Sequence, residues 1–203
     1  MLFLHVSCKE WLERMKKTSL ALMAAAMALA ATVCAFEPSK VVAATGTIEF
    51  AFTPGDDAAG LIVRTIDAAR TQVLVQTFSF THREIAEALV RAHERGVDVQ
   101  VIADREQTNS LDSKAMQRLV DGGLAVLADA EHAAAHNKVM IVDAHGKRPA
   151  VITGSFNFTF AAQYRNSENV LVLRDNLDLV RAYFDNWQEH RRHAIAFVRD
   201  VPN

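Results

Sequence analysis

Between residues 46 and 129 the chain alternates β-rich runs with helix-patterned runs, and few folds accommodate that rhythm. Residues 46–53 (GTIEFAFT), 71–80 (TQVLVQTFSF), 97–104 (VDVQVIAD) and 124–129 (LAVLAD) read as strands, rich in Val, Ile, Phe and Thr. In the first interval Leu61, Ile62 and Ile66 stand at helical spacing behind Asp56 and Asp57, either of which can start a helix. The second interval opens on Thr81 as the expected N-cap, with Glu84 completing a capping box, and closes on Gly96. The third, 109–123, ends on two glycines. Strands joined through helices imply parallel βαβ units, because the crossover must carry the chain back to the same end of the sheet. Past residue 130 the rhythm changes. HNKVMIVD, AVITGSFNF and ENVLVLRD are three β-like runs with no long helix between them, followed by an amphipathic helix over 176–193. The expectation is a single α/β domain, a mixed β-sheet flanked by helices on both faces.

Residues 1–35 read differently. Lys16 and Lys17 precede an uncharged, Ala-rich apolar run, and Val33-Cys34-Ala35 offers a small-x-small cleavage pattern. That is the composition of a secretory signal peptide, with Met15 a tidier start than Met1 and residues 1–14 a start-site artefact. The expected organisation is a leader over 1–35 and one domain over 36–203, exported to the periplasm or secreted, with no stable membrane association once the leader is removed. Both cysteines, Cys8 and Cys34, fall in the leader. The exported domain would then have no thiol and would be held in an oxidising compartment by packing alone. Residues 36–203 hold 18 basic and 22 acidic residues, a net charge of −4. This excludes a uniformly basic nucleic-acid binder, so a site for a polyanion must be a local focus of positive charge.

The segment AAAHNKVMIVDAHGKRPAVITGSFNFT (133–159) supplies such a focus. Side chains alternate across a strand, so His136 and Lys138 share a face, and so do Ser155 and Asn157. With AHGKRP (144–149) as the turn and Asp143 opposite Ala150, antiparallel register sets His136 against Asn157 and Lys138 against Ser155. Gly154 leaves room beside them for a ligand to approach the backbone. An ammonium and two neutral donors match the oxygens of a phosphoryl group, and an imidazole can act as nucleophile or proton carrier. No grouping of histidines and carboxylates at metal-ligand spacing is visible, so neither a metal nor any other cofactor is expected. His132 and His145 flank the motif without a matching partner. His82, His93, His190 and His193 read as solvated helix faces, and Lys147-Arg148 with Arg191 and Arg192 read either as basic margins for a backbone of phosphates or, as is commoner for such short runs, as solubility features.

These residues resemble the phospholipase D superfamily. His136-x-Lys138, Asp143 and Gly154-Ser155-x-Asn157, with FSFT (78–81) and NSEN (166–169), are most similar to its small secreted or plasmid-borne bacterial endonucleases, over residues 46 to about 190. One departure is the ten-residue separation of Asp143 from Gly154, where the family usually has about six. An even insertion can be absorbed in the turn without exchanging strand faces. The resemblance implies that His136 forms a phosphohistidine, that Lys138, Asn157 and Ser155 hold the nonbridging oxygens, and that Glu168 orients the imidazole. Asp143 would be structural. It further implies a metal-independent, sequence-nonspecific endonuclease acting on DNA or RNA as a homodimer with one shared active site. A phospholipase D or phosphatidyl transferase on the same scaffold, and a non-catalytic polyanion-binding module, are the alternatives.

Overall fold

A computed structural model describes residues 37–110 and 114–197, together with Lys9 and Glu13. Residues from Val42 onward form one compact unit. The apolar leader and its cleavage pattern lie outside the described residues. Among the described residues no helix is long and apolar enough to cross a membrane.

The strands are β1 (Thr47–Thr53), β2 (Gln72–Thr77), β3 (Asp98–Asp104), β4 (Ala125–Asp129), β5 (Lys138–Val142), β6 (Ala150–Gly154), β7 (Glu168–Arg174) and β8 (Ile195–Ala196). The helices are α1 (Ala58–Asp67), α2 (Arg83–Glu94), α3 (Arg105–Ser110), α4 (Lys114–Asp121), α5 (Phe160–Tyr164) and α6 (Leu177–His193). The strands form one sheet in the order β1-β7-β6-β5-β2-β3-β4-β8. β2, β3 and β4 run parallel, and every other pairing is antiparallel. The mixed sheet read from the change of rhythm after residue 130 is therefore present.

Each face buries its own core. On one, Ile62 and Ile66 of α1, Ile85 and Leu89 of α2 and Leu119 of α4 pack on Val73, Val75, Val101 and Met140. On the other, Val180 and Trp187 of α6 cover Leu74, Ile102, Ile141 and Val151, and the Trp187 indole N–H donates to Val75 O at 3.2 Å. Each fully buried aliphatic side chain of this kind stabilises the fold by roughly 1.5–3 kcal/mol.

Asp57 is the N-cap of α1, accepting from Gly60 N, whereas Asp56 accepts from Phe52 N. The capping box expected at Thr81 is not formed. The N-cap of α2 is His82, without a side-chain cap bond, because the backbone there has another use: the amides of Thr81 and His82 both donate to Phe158 O at 2.9 Å. His82 is buried rather than on a solvated face, and burial lowers its pKa against the opposing charges of Glu84 and Asp57.

The β5–β6 hairpin differs from expectation by one residue. Val142, not Asp143, faces Ala150. Asp143 has left the ladder with φ of 50° and turned its carboxylate onto the start of β2, where it accepts from the amides of Arg70, Thr71 and Gln72 and from the Thr71 hydroxyl. Burial would raise its pKa, but these bonds together hold it below the ordinary carboxylate range. The sign follows: a depressed native pKa contributes stability above the unfolded value and loses it as pH falls through the native one. Asp143→Asn should therefore cost about 2 kcal/mol at pH 7. Urea unfolding repeated in acid should show the gap to wild type closing, and a constant gap would disprove the charged-acceptor role.

Candidate active site

The sheet topology brings the singled-out residues to one edge. Lys138 opens β5 opposite Thr77 at the end of β2, Gly154 ends β6 opposite Val170, and Glu168 opens β7 opposite Thr53 at the end of β1. This edge is also the carboxyl end of the parallel strands β2, β3 and β4, the end at which open α/β sheets bind ligands. Strand alternation puts Thr53, Thr77, Lys138 and Glu168 on the face that carries Ala51, Val75, Met140 and Val170.

His136 lies in the loop just before β5 and is exposed, while Lys138 is only 8% exposed. The Lys138 ammonium donates to His136 O at 2.8 Å and stands 3.0 Å from His136 Nδ1. The imidazole packs on Phe78, ring centroids 4.4 Å apart, and the same Phe78 ring lies 5.1 Å from Lys138 Nζ. An exposed imidazole is thus steadied by an aromatic ring and by a cation that lies 3.0 Å from its Nδ1 and 3.3 Å from its Nε2. Burial lowers the pKa of Lys138, and the charge of Glu168 partly opposes this.

The second half of the motif is set by an irregularity. The regular strand ends at Gly154, φ 145°, and the amides of Ser155 and Phe156 both converge on Asn169 O at 3.1 and 3.3 Å. Two residues facing one partner are a bulge. The expected pairings of His136 with Asn157 and of Lys138 with Ser155 are therefore replaced: carried on, the observed register sets Lys138 level with Gly154. Beyond the bulge, Phe156 and Phe158 enter the core and Phe158 bridges to Phe80, so Asn157 is drawn alongside the segment that carries Phe78. The Asn157 side-chain oxygen is buried without a hydrogen-bond partner. Ser155 is exposed, and its Oγ accepts from Asn169 N and Nδ2 at 3.1 and 3.3 Å, which leaves the hydroxyl proton free to donate outward.

A Cβ at position 154 would overlap the Asn169 carbonyl oxygen, in a backbone conformation that side chains rarely adopt. Gly154→Ala should lower stability by at least about 1–3 kcal/mol and reshape the Ser155–Asn157 bulge. Thermal unfolding checks this, and a variant as stable as wild type would mean the bulge is not anchored there.

The contact expected between Glu168 and His136 is not made within the chain. Glu168 accepts from Asn166 Nδ2 at 3.0 Å, and its charge acts on Lys138 instead. Thr53, which the sequence reading did not single out, holds this corner: its hydroxyl donates to Ala162 O at 2.8 Å and accepts from Glu168 N at 3.2 Å. Nothing in the pattern of a short strand end signals such a role. Lys147 and Arg148, expected as basic margins, sit in the turn at the far end of the β5–β6 hairpin, roughly 16 Å from Lys138 at about 3.3 Å per strand residue, and cannot border this edge. His145 lies on that same turn, against Phe184 at 4.7 Å. His132 is exposed but not without a partner, and His190 and His193 are half-buried rather than on a solvated face, since all three converge on Asp129.

Residues 62–190 match the family described as cardiolipin synthase, PLD-like domain. The chain is 38% identical over 136 residues to a protein named phospholipase D from Rickettsia felis, covering 67% of this chain and 65% of that one. It is 31% identical over 134 residues to human mitochondrial cardiolipin hydrolase, covering 66% of this chain and 51% of the relative. It thus spans about two thirds or less of the length of these curated relatives. The crystal structure of Nuc, a phospholipase D family member from Salmonella typhimurium, superposes with a TM-score of 0.70 at 32% identity, covering 75% of this chain and 99% of that one.

Proposed function

The chain belongs to the phospholipase D superfamily, and from that membership we propose that it is a phosphodiesterase, a sequence-nonspecific endonuclease that cleaves DNA or RNA through a phosphohistidine on His136. One observation carries this reading: an exposed imidazole stands 3.0 Å from a buried ammonium on an open sheet edge. A buried cation whose hydrogen bonds run to a carbonyl and an imidazole has no carboxylate to release before it meets an anion. In the first step a His136 ring nitrogen bonds to phosphorus and the P–O bond to the leaving group breaks. Lys138, Asn157 and the Ser155 hydroxyl stabilise the charge on the nonbridging oxygens, the work a metal does in other phosphodiesterases. Water then attacks the phosphohistidine and frees His136.

In-line displacement places nucleophile and leaving group on opposite sides of phosphorus. One imidazole cannot attack one side and protonate the other in the same step, and this chain has one motif. We therefore assign the leaving-group proton to His136 of a second copy across a twofold axis, one composite site per dimer. An exposed aromatic pair supports a partner face: Phe160 and Tyr164 stand 4.4 Å apart on α5, which Thr53 ties to the end of β1.

The names of the relatives motivate a second reading, a phospholipase on the same residues. Supercoiled plasmid and cardiolipin or phosphatidylcholine vesicles should be offered in EDTA, at a temperature where the EDTA-treated chain remains folded by circular dichroism. Nicking without lipid hydrolysis is the expected result. Lipid hydrolysis alone would establish the second reading, and inactivity of the folded chain towards both and towards bis-p-nitrophenyl phosphate would overturn the phosphohistidine mechanism. The leader over 1–35 and export to the periplasm remain part of the proposal, and mass determination of the N-terminus of the exported chain tests them.

A further inference from the structure

Away from His136, four side chains meet where β4 ends. Asp129 closes β4 with its side chain 1% exposed. His132 follows in the next loop, and His190 and His193 lie on the last turn of α6. β8 then pairs with β4, Ala128 opposite Ile195, and holds the end of α6 over this corner. From Asp129 Oδ2 the distances are 2.9 Å to His190 Nδ1, 3.2 Å to His193 Nε2 and 3.3 Å to His132 Nδ1. One atom from each of the four residues falls within 4.8 Å of the other three.

Three imidazoles exceed what one carboxylate needs for neutralisation. The His193 Nε2 atom is buried and, although 3.2 Å from the carboxylate, is not aligned to hydrogen-bond it. The other nitrogen of the same ring, Nδ1, is 3.2 Å from Glu131 Oε2. A carboxylate behind a histidine fixes its tautomer and directs the remaining nitrogen forward, the arrangement found behind metal-ligating imidazoles. Four ligand atoms at roughly 2.0–2.1 Å from a tetrahedral Zn²⁺ lie about 3.4 Å from one another, close to the separations from Asp129.

We infer that Asp129, His132, His190 and His193 form a structural binding site for a divalent transition metal of the zinc type. Three imidazoles and one carboxylate suit Zn²⁺ and its neighbours rather than Ca²⁺ or Mg²⁺, which take oxygen ligands. Four protein ligands complete a tetrahedron and leave no position for a reactive water, so the site is structural and separate from the chemistry at His136. Its effect is mechanical. The metal joins the end of α6 to the loop between β4 and β5, and His132 lies four residues before His136 on that loop. The loop is also held by the bonds from Ala135 N to Asp104 Oδ2 at 2.8 Å and from Phe78 N to Asn137 O at 3.0 Å.

The test uses the full chain without a polyhistidine tag, stripped with EDTA and titrated with Zn²⁺ by calorimetry and thermal unfolding. One zinc per chain and a Tm raised by several degrees are expected. Co²⁺ in its place should give the intense visible bands of a tetrahedral centre. His132→Ala should weaken binding at least tenfold and remove those bands without unfolding the chain, because His132 is 46% exposed on a loop. His193→Ala should act the same way. His136→Asn should still bind one zinc with unchanged affinity. Zinc uptake that survives both His132→Ala and His193→Ala, uptake lost in His136→Asn, or no uptake at micromolar zinc would each overturn the site.

Discussion

His136→Asn is expected to leave the fold intact and lower phosphodiester turnover at least about a thousandfold, since it removes the nucleophile and keeps a polar side chain of similar reach. The side chain is exposed, and its contacts are with Lys138 and Phe78 at the sheet edge, so no core packing is lost. Retention of more than a few per cent of the wild-type rate would contradict the assignment. The same variant tests the shared site. Wild type refolded with an equal amount of His136→Asn gives dimers at random. If both histidines serve one phosphate, roughly a quarter of the equivalent wild-type activity remains. If each chain carries its own site, about half remains. A value near one half, or an active monomer in sedimentation, would refute the composite site while leaving the nucleophile in place.

Lys138→Met should separate activity from stability in opposite directions. Turnover should fall by about 10²–10³-fold, because the variant loses charge stabilisation directed at the nonbridging oxygens. Thermal stability at neutral pH should rise. Burial penalises the ammonium, its partner His136 O is on an exposed residue that water can reach, and Glu168 opposes the penalty only in part. Methionine fills the same space without the charge. The pH dependence follows from the sign of the shift. The native pKa of Lys138 lies below its ordinary 10.5, so in the interval between them the unfolded chain binds more protons and wild-type stability rises with pH. The advantage of Lys138→Met should accordingly shrink as pH climbs towards 10.5. A variant less stable than wild type at pH 7 would show that Lys138 holds the fold together rather than being held by it.

What the sequence by itself determined is what local chemistry dictates. Period-two and helical spacing are properties of neighbouring residues, and they placed β1 to β7, α1, α2 and α6 to within a few residues and called for a mixed sheet with helices on both faces. The short spacing of His136 and Lys138, and of Gly154, Ser155 and Asn157, was legible for the same reason. Only the tertiary structure decided what depends on partners distant in the chain. The hairpin register shifted because Asp143 met the amides of residues 70–72, and Ser155 left the ladder because Asn169 O took two amides. Thr81 gave up its cap because Phe158 O claimed the backbone. His190 and His193 read as a polar helix face until β8 folded back onto β4 and set that face against Asp129, 61 residues earlier in the chain than His190. A helix pattern records which side chains share a face, but what that face meets is a long-range contact, and its energy depends on an opposing surface that no local spacing encodes.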